Sequence, residues 1–201
     1  MSQTAYLHLA KAPAPGAPLV FAFHGTGGDE HQFFGLIEQM LPNAGIVSPC
    51  GDVSEHGANR FFRRTGEGVY DMADLAARTA KMAGFISAHK AANPGAPVYG
   101  LGYSNGANIL VSVLLQDAGL FDRAVLMHPL IPWQPKPNPA LKNKKVLITA
   151  ARHDPICPLP LTQSLERYFK AQGSAVDLLL HDGGHDVRPT ELTAAATFLS
   201  A

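Results

Sequence analysis

Short apolar runs recur along the chain, and between most of them lie longer segments in which apolar residues return every three or four positions. The runs read "AYLHLA", "PLVFAFHG", "GIVSPCG", "PVYGLGYS", "RAVLMHP", "KVLITA" and "AVDLLLH". They have the length and β-branched or aromatic content of strands. Among the intervening segments, Met72, Leu75, Thr79, Met82 and Ile86 follow steps of three and four, which predicts one sheet-facing stripe on a helix of about six turns. Leu161, Leu165, Tyr168 and Phe169 repeat the pattern later. Strand-like runs alternating with helical segments predict an α/β protein with a mostly parallel, twisted sheet of about seven strands flanked by helices.

One segment breaks the pattern. "HPLIPWQPKPNPALKNKK" is rich in proline and lysine and holds the only tryptophan. Its prolines forbid a regular helix through most of its length, so it reads as a surface connection. The other reading makes Leu130, Ile131 and Trp133 part of a substrate rim. Residues 129–144 are too few for a separate covering domain, so no cap domain is expected and any site beneath should be open.

Composition narrows the class. The chain has 201 residues, 46% hydrophobic and 16% charged, which suits one globular domain spanning 1–201. A formal net charge of 0 offers nothing to draw a polyanion or an anionic membrane, so no nucleic-acid partner and no membrane insertion are expected. No window approaches the roughly 18–20 apolar residues of a spanning helix. The N-terminus lacks the basic start and long apolar stretch of a signal peptide. Cys50 and Cys157 stand far apart and outside any paired spacing, which disfavours a disulfide framework or a zinc site. The expected compartment is the cytoplasm and the expected partner a small molecule, with a homodimer left open.

The chemistry begins at "VYGLGYSNGANIL". A G-x-S-x-G pentapeptide alone is a weak signal, but here a strand-like run enters it and an apolar helical segment leaves it, as a nucleophile elbow requires. The sharp turn crowds the backbone, so the positions two before and two after the serine must lack side chains; Gly102 and Gly106 meet that need. A hydroxyl is a poor nucleophile near neutral pH, so Ser104 needs a base held in one tautomer by an acid. Two downstream loops offer them: "ARHDPICP" carries Asp154 and "GGHD" carries His185, each after a strand-like run. Asp177 starts a strand at the wrong end, and Asp182 and Asp186 sit too near His185 to orient its ring easily. His181 still belongs to a strand and His128 ends another. For the oxyanion, one donor is expected from the backbone N–H of Asn105 and the second from Thr26 in "FHGTGGDE", before a helix predicted from Asp29. That glycine-rich loop lacks the lysine and spacing of a phosphate-binding loop.

Four segments, "FHGTGGDE", "GYSNGAN", "ARHDPICP" and "GGHD", in this order resemble the α/β-hydrolase superfamily, and more narrowly its small phospholipase/carboxylesterase family. The likeness covers almost the whole chain. It implies an α/β-hydrolase fold, a triad of Ser104, Asp154 and His185, and Thr26 and Asn105 as backbone donors. Many members carry glutamine after the serine; Asn105 is similar instead to the bacterial carboxylesterase branch, as is "NRFFRRTGEGVYDMADL". The related dienelactone hydrolases would place cysteine where Ser104 stands. In the arginine-rich loop, Phe61 and Phe62 beside Arg60, Arg63 and Arg64 read either as an apolar wall edged by cations or as a surface arginine cluster with its phenylalanines packed inward. Arg60, Phe61, Phe62, Ile156 and Trp133 are the expected substrate contacts. Cys157 reads as a small apolar filler near the pocket.

The resulting expectation is a carboxylesterase that cleaves esters with small acyl or aromatic groups through an acyl-enzyme, with no metal and no cofactor. An acyl thioesterase or lysophospholipase using the same triad, or a catalytically silent ligand-binding module, are the alternatives.

Overall fold

The computed structural model describes residues 2–201. Each of the seven apolar runs forms a strand of one sheet: β1 (His8–Lys11), β2 (Leu19–Phe23), β3 (Gly45–Pro49), β8 (Val98–Tyr103), β9 (Arg123–Met127), β10 (Lys145–Ala151) and β11 (Ala175–His181). Their spatial order is β1-β3-β2-β8-β9-β10-β11. Only β1 runs antiparallel to its neighbour; every other pairing is parallel. The remaining strands are short: β4 (Val53–Glu55) pairs with β5 (Ala58–Arg60), and β6 (Arg64–Gly66) with β7 (Val69–Tyr70).

Five helices cover the sheet: α1 (Phe34–Met40), α2 (Met72–Ala92), α3 (Asn105–Gln116), α4 (Leu159–Ala171) and α5 (Pro189–Ser200). Alternation along the central strands divides the apolar side chains between two layers. Leu19, Phe21 and Phe23 of β2 join the layer built with α2, α3 and α4, whereas Val20 and Ala22 join the layer under α1 and α5. β2 is therefore buried along its whole length, as a strand covered on both faces must be. The order of the strands puts β8 at the centre with its carboxyl end beside those of β2 and β9, where ligands of open parallel sheets gather.

Three details differ from the sequence-based expectation. The first helix starts at Phe34 and not at Asp29. Asp29 Oδ1 accepts the His31 N–H at 2.9 Å, and Gln32 Oε1 accepts the Gly25 N–H at 2.8 Å, so side chains satisfy the backbone here and hold a loop. Met72 is 51% exposed because it is the first residue of α2, just past the Asp71 cap; Leu75, Thr79, Met82 and Ile86 carry the buried stripe. Leu161 is half-buried, and Thr162 takes the inner position on α4. Among the described residues, no helix is long and apolar enough to cross a membrane.

Candidate active site

The turn from β8 into α3 places Ser104 at φ 51°, ψ −118°, a conformation in which an L-residue is strained. The glycines on either side permit it. A Cβ on Gly102 would lie 2.6 Å from the Gly106 carbonyl oxygen, and one on Gly106 would strike the carbonyls of Phe23 and His24. The elbow is pinned to the sheet by Ser104 N–H donating to the Met127 carbonyl at 2.9 Å.

The hydroxyl reaches the loop after β11: Ser104 Oγ lies 2.9 Å from His185 Nε2. On the other side of the ring, Nδ1 lies 2.8 Å from Asp154 Oδ2, in the loop after β10. This pattern assigns the proton to Nδ1 and leaves Nε2 to accept from the serine O–H. Tyr103 O–H donates to the His185 carbonyl at 2.9 Å and its ring lies beside the imidazole, which fixes the histidine loop. Burial pushes the Asp154 carboxyl upward. The opposing donors outweigh it: the N–H groups of Cys157 and Ile156 on Oδ1, with His185 and His128, hold Asp154 below the usual carboxylate range. Cys157, buried beside this carboxylate, has its thiol pushed well up, so it stays protonated.

In the loop after β2, the Gly25, Gly27 and Gly28 N–H groups are engaged by Gln32, Asn59 and Gly25, whereas Thr26 N–H makes no hydrogen bond to another described residue. Asn105 opens α3, where the first N–H groups of a helix have no partner within it. Thr26, Ser104, Asn105 and His185 line one cavity of about 270 Å³.

The arginine-rich loop is divided. Arg60 and Arg64 line the cavity, as do Ile156 and Cys157. Phe61 and Phe62 do not: both are buried in the core, against Phe23 and Tyr70 respectively, because exposing two phenylalanines would forfeit their burial. They act from behind, since Phe61 N–H donates to Asn105 Oδ1 at 2.7 Å and ties this loop to the elbow. Arg63 turns away to Asp71 and Asp74. Trp133 is also absent from the lining, for it packs behind Tyr70 with ring centroids 6.0 Å apart, and Ile131 is buried in the core. Leu130 does reach the cavity.

Other residues that sequence reasoning passed over complete the wall. Asn108, one turn along α3, donates to Tyr70 Oη at 2.8 Å and accepts the Leu130 N–H at 2.7 Å, so one side chain anchors two lining residues. Arg60 Nη1 donates to Thr26 Oγ1 at 2.8 Å and so holds the loop that offers the Thr26 N–H. His128 lies 2.8 Å from Asp154 through Nδ1, the same oxygen that His185 approaches. Two sets of His, Asp and Glu side chains crowd together here, His128 with His181 and Glu191, and His128 with Asp154 and His185, each with one polar side-chain atom within 4.8 Å of the others. In both sets, imidazole nitrogens already face carboxylate oxygens.

A family model described as "Dienelactone hydrolase family" matches residues 4–186. The chain belongs to the dienelactone hydrolase family. It is therefore a hydrolase of the α/β-hydrolase superfamily, and within the dienelactone hydrolases it carries Ser104 at the elbow rather than the cysteine that the resemblance assigns to that branch. It is 35% identical over 179 residues to MhqD of Bacillus subtilis (strain 168), covering 88% of this chain and 90% of the relative. Among solved structures, it is similar to the protein Atu2452 of unknown function from Agrobacterium tumefaciens str. C58, at 55% identity and TM-score 0.93, covering 100% of this chain and 98% of that one. It is also similar to the Bacillus cereus carboxylesterase, at 31% identity and TM-score 0.89, with 97% and 93% of the two chains covered.

Proposed function

We propose that this dienelactone hydrolase family member is a serine carboxylesterase acting on small esters. The observation that carries the proposal is the continuous relay from Ser104 Oγ through His185 to Asp154, with separations of 2.9 and 2.8 Å. His185 Nε2 takes the hydroxyl proton as Oγ bonds to the ester carbonyl carbon. The carbonyl oxygen becomes an oxyanion and accepts from the Thr26 and Asn105 N–H groups. Collapse breaks the C–O bond, the proton passes from His185 to the departing alcohol, and the acyl group remains on Ser104. Water, deprotonated by the same imidazole, then attacks and releases the acid.

The cavity sets the substrate class. Its volume of about 270 Å³ and its Tyr70, Leu130 and Ile156 walls suit a short acyl or aromatic group, and Arg60 and Arg64 supply cations on one side. The similarity to the Bacillus cereus carboxylesterase supports ester cleavage. The test is a panel of p-nitrophenyl esters and acyl thioesters on the native protein and on Ser104→Ala. Turnover should be greatest for short esters, fall with acyl length and vanish in the variant; thioester preference would favour a thioesterase instead, and Ser104-independent turnover would rule out the proposal.

A further inference from the structure

His128 follows β9, and it and Ser104 are two of the four non-glycine residues with positive φ among the described residues, each at 51°. Strained residues of this kind cluster at functional sites. The relay described above does not use His128, yet its ring is fully buried beside it. Nδ1 lies 2.8 Å from Asp154 Oδ2, and Nε2 lies 3.1 Å from Glu191 Oε1, off the in-line direction of a hydrogen bond.

The partners of the three neighbouring imidazoles specify where the protons are. His185 Nδ1 faces Asp154 and Nε2 accepts from Ser104, so it carries one proton. His181 Nδ1 accepts the Gly183 N–H at 3.0 Å, which leaves Nε2, 3.1 Å from Glu191 Oε2 and also off the in-line direction, as the place for its ring proton. His128 faces a carboxylate oxygen from both nitrogens, and a bare nitrogen on either side would set a lone pair against an anion. A proton on each nitrogen would remove both repulsions. Glu191 also accepts from the Thr149 hydroxyl and the Arg188 N–H.

We propose that His128 is a positioning residue: a doubly protonated imidazolium clamped between Asp154 and Glu191 that fixes the Asp154 carboxylate and opposes protonation of His185. The proposal rests on the serine-hydrolase reading above. The ring centroids of His128 and His185 are 5.2 Å apart, and a cation at that distance disfavours a second one on the base. Asp154 Oδ2 is also shared between the two rings, so less of its charge is available to stabilise a protonated His185. The ionisable groups facing His128 are Asp154, Glu191, His181, His185, Tyr103 and Cys157. Burial raises Tyr103 and Cys157, which keeps both neutral and leaves the two carboxylates to set the charge of His128.

Two measurements on the full chain test this. Nitrogen-15 NMR of the histidine side chains at pH 7.5, where an ordinary histidine is about nine-tenths neutral, should show both His128 nitrogens protonated. A singly protonated His128 would overturn the proposal, and no substitution is needed to see it. In His128→Asn, the amide can still donate at the place of Nδ1, and asparagine tolerates positive φ, but the charge is gone. The acidic limb of kcat/KM for p-nitrophenyl acetate should move up by about one pH unit, while the rate on the alkaline plateau stays within about tenfold. An unmoved limb would overturn it. If native turnover proves independent of Ser104, the positioning role falls with the serine-hydrolase reading, and the NMR result identifies that cause separately.

Discussion

Ser104 Oγ and His185 Nε2 stand 2.9 Å apart although 81 positions separate them in the sequence. Parallel strands make this meeting possible, since β8 and β11 both release their loops at the same edge of the sheet. Asp154, from the end of β10 between them, completes the relay.

Ser104→Ala and His185→Ala should each lower kcat/KM for p-nitrophenyl acetate by about 10⁴-fold, because either removes the same proton-coupled attack. The double variant should be no worse than the single ones within about threefold. Steady-state kinetics on purified variants decide it; additive losses would mean the two side chains do not act as a unit.

Gly106→Ala should destabilise the fold by about 3 kcal/mol or more, since the new Cβ meets two backbone carbonyls of the strand end that cannot move aside. Gly184→Ala should cost well under 1 kcal/mol, because nothing lies within 4 Å of a Cβ there. Urea unfolding of both variants tests the contrast.

Arg60→Met keeps the buried stem and removes the donor to Thr26 Oγ1. The loop carrying Thr26 then loses this side-chain tie to β5 while its backbone contacts with Asn59 remain, so if the Thr26 N–H serves the oxyanion, kcat should fall about tenfold with a smaller change in KM. A KM effect alone would assign Arg60 to substrate binding rather than to holding the loop.

Stability should peak in mildly acidic solution. Burial raises Asp154 and Glu191, but their hydrogen-bond donors prevail and leave both below the usual carboxylate range. Their contribution is present above about pH 4 and is lost as pH falls through the depressed folded-state values. Burial lowers His128, but Glu191 and Asp154 prevail and raise it. Its contribution is full below about pH 6.5 and is lost as pH rises through the raised value. The melting temperature should therefore be highest between roughly pH 4 and 6.5 and fall on both sides. A steady rise from pH 6 to 9 would contradict this.

The inner strands β2, β3, β8, β9 and β10 were legible because each is a largely apolar run that the sheet buries, whereas the edge strands β1 and β11, which hold no fully buried residue, were legible from β-favouring residues alone. The elbow was legible because Gly102 and Gly106 are the residues its crowding tolerates. β4 to β7 were not, since strands of two or three residues are too short to show any period and are held by pairing and by side-chain ties to distant loops. Phe61, Phe62 and Trp133 illustrate a further limit: an aromatic residue near a site reads the same whether it faces the cavity or the core behind it. His128 was set aside as the end of a strand. The signal available was a polar residue directly after the apolar run "RAVLM", at the strand edge where site residues collect, but its second partner, Glu191, lies 63 positions on and only the packing of α5 brings it there.

The most direct test is covalent. Incubation with a fluorophosphonate probe at neutral pH, followed by mass spectrometry of the digested protein, should locate one adduct on the peptide bearing Ser104, with labelling abolished in His185→Ala. Modification elsewhere, or a native protein that stays unlabelled while folded, would contradict the assignment of Ser104 as an activated nucleophile.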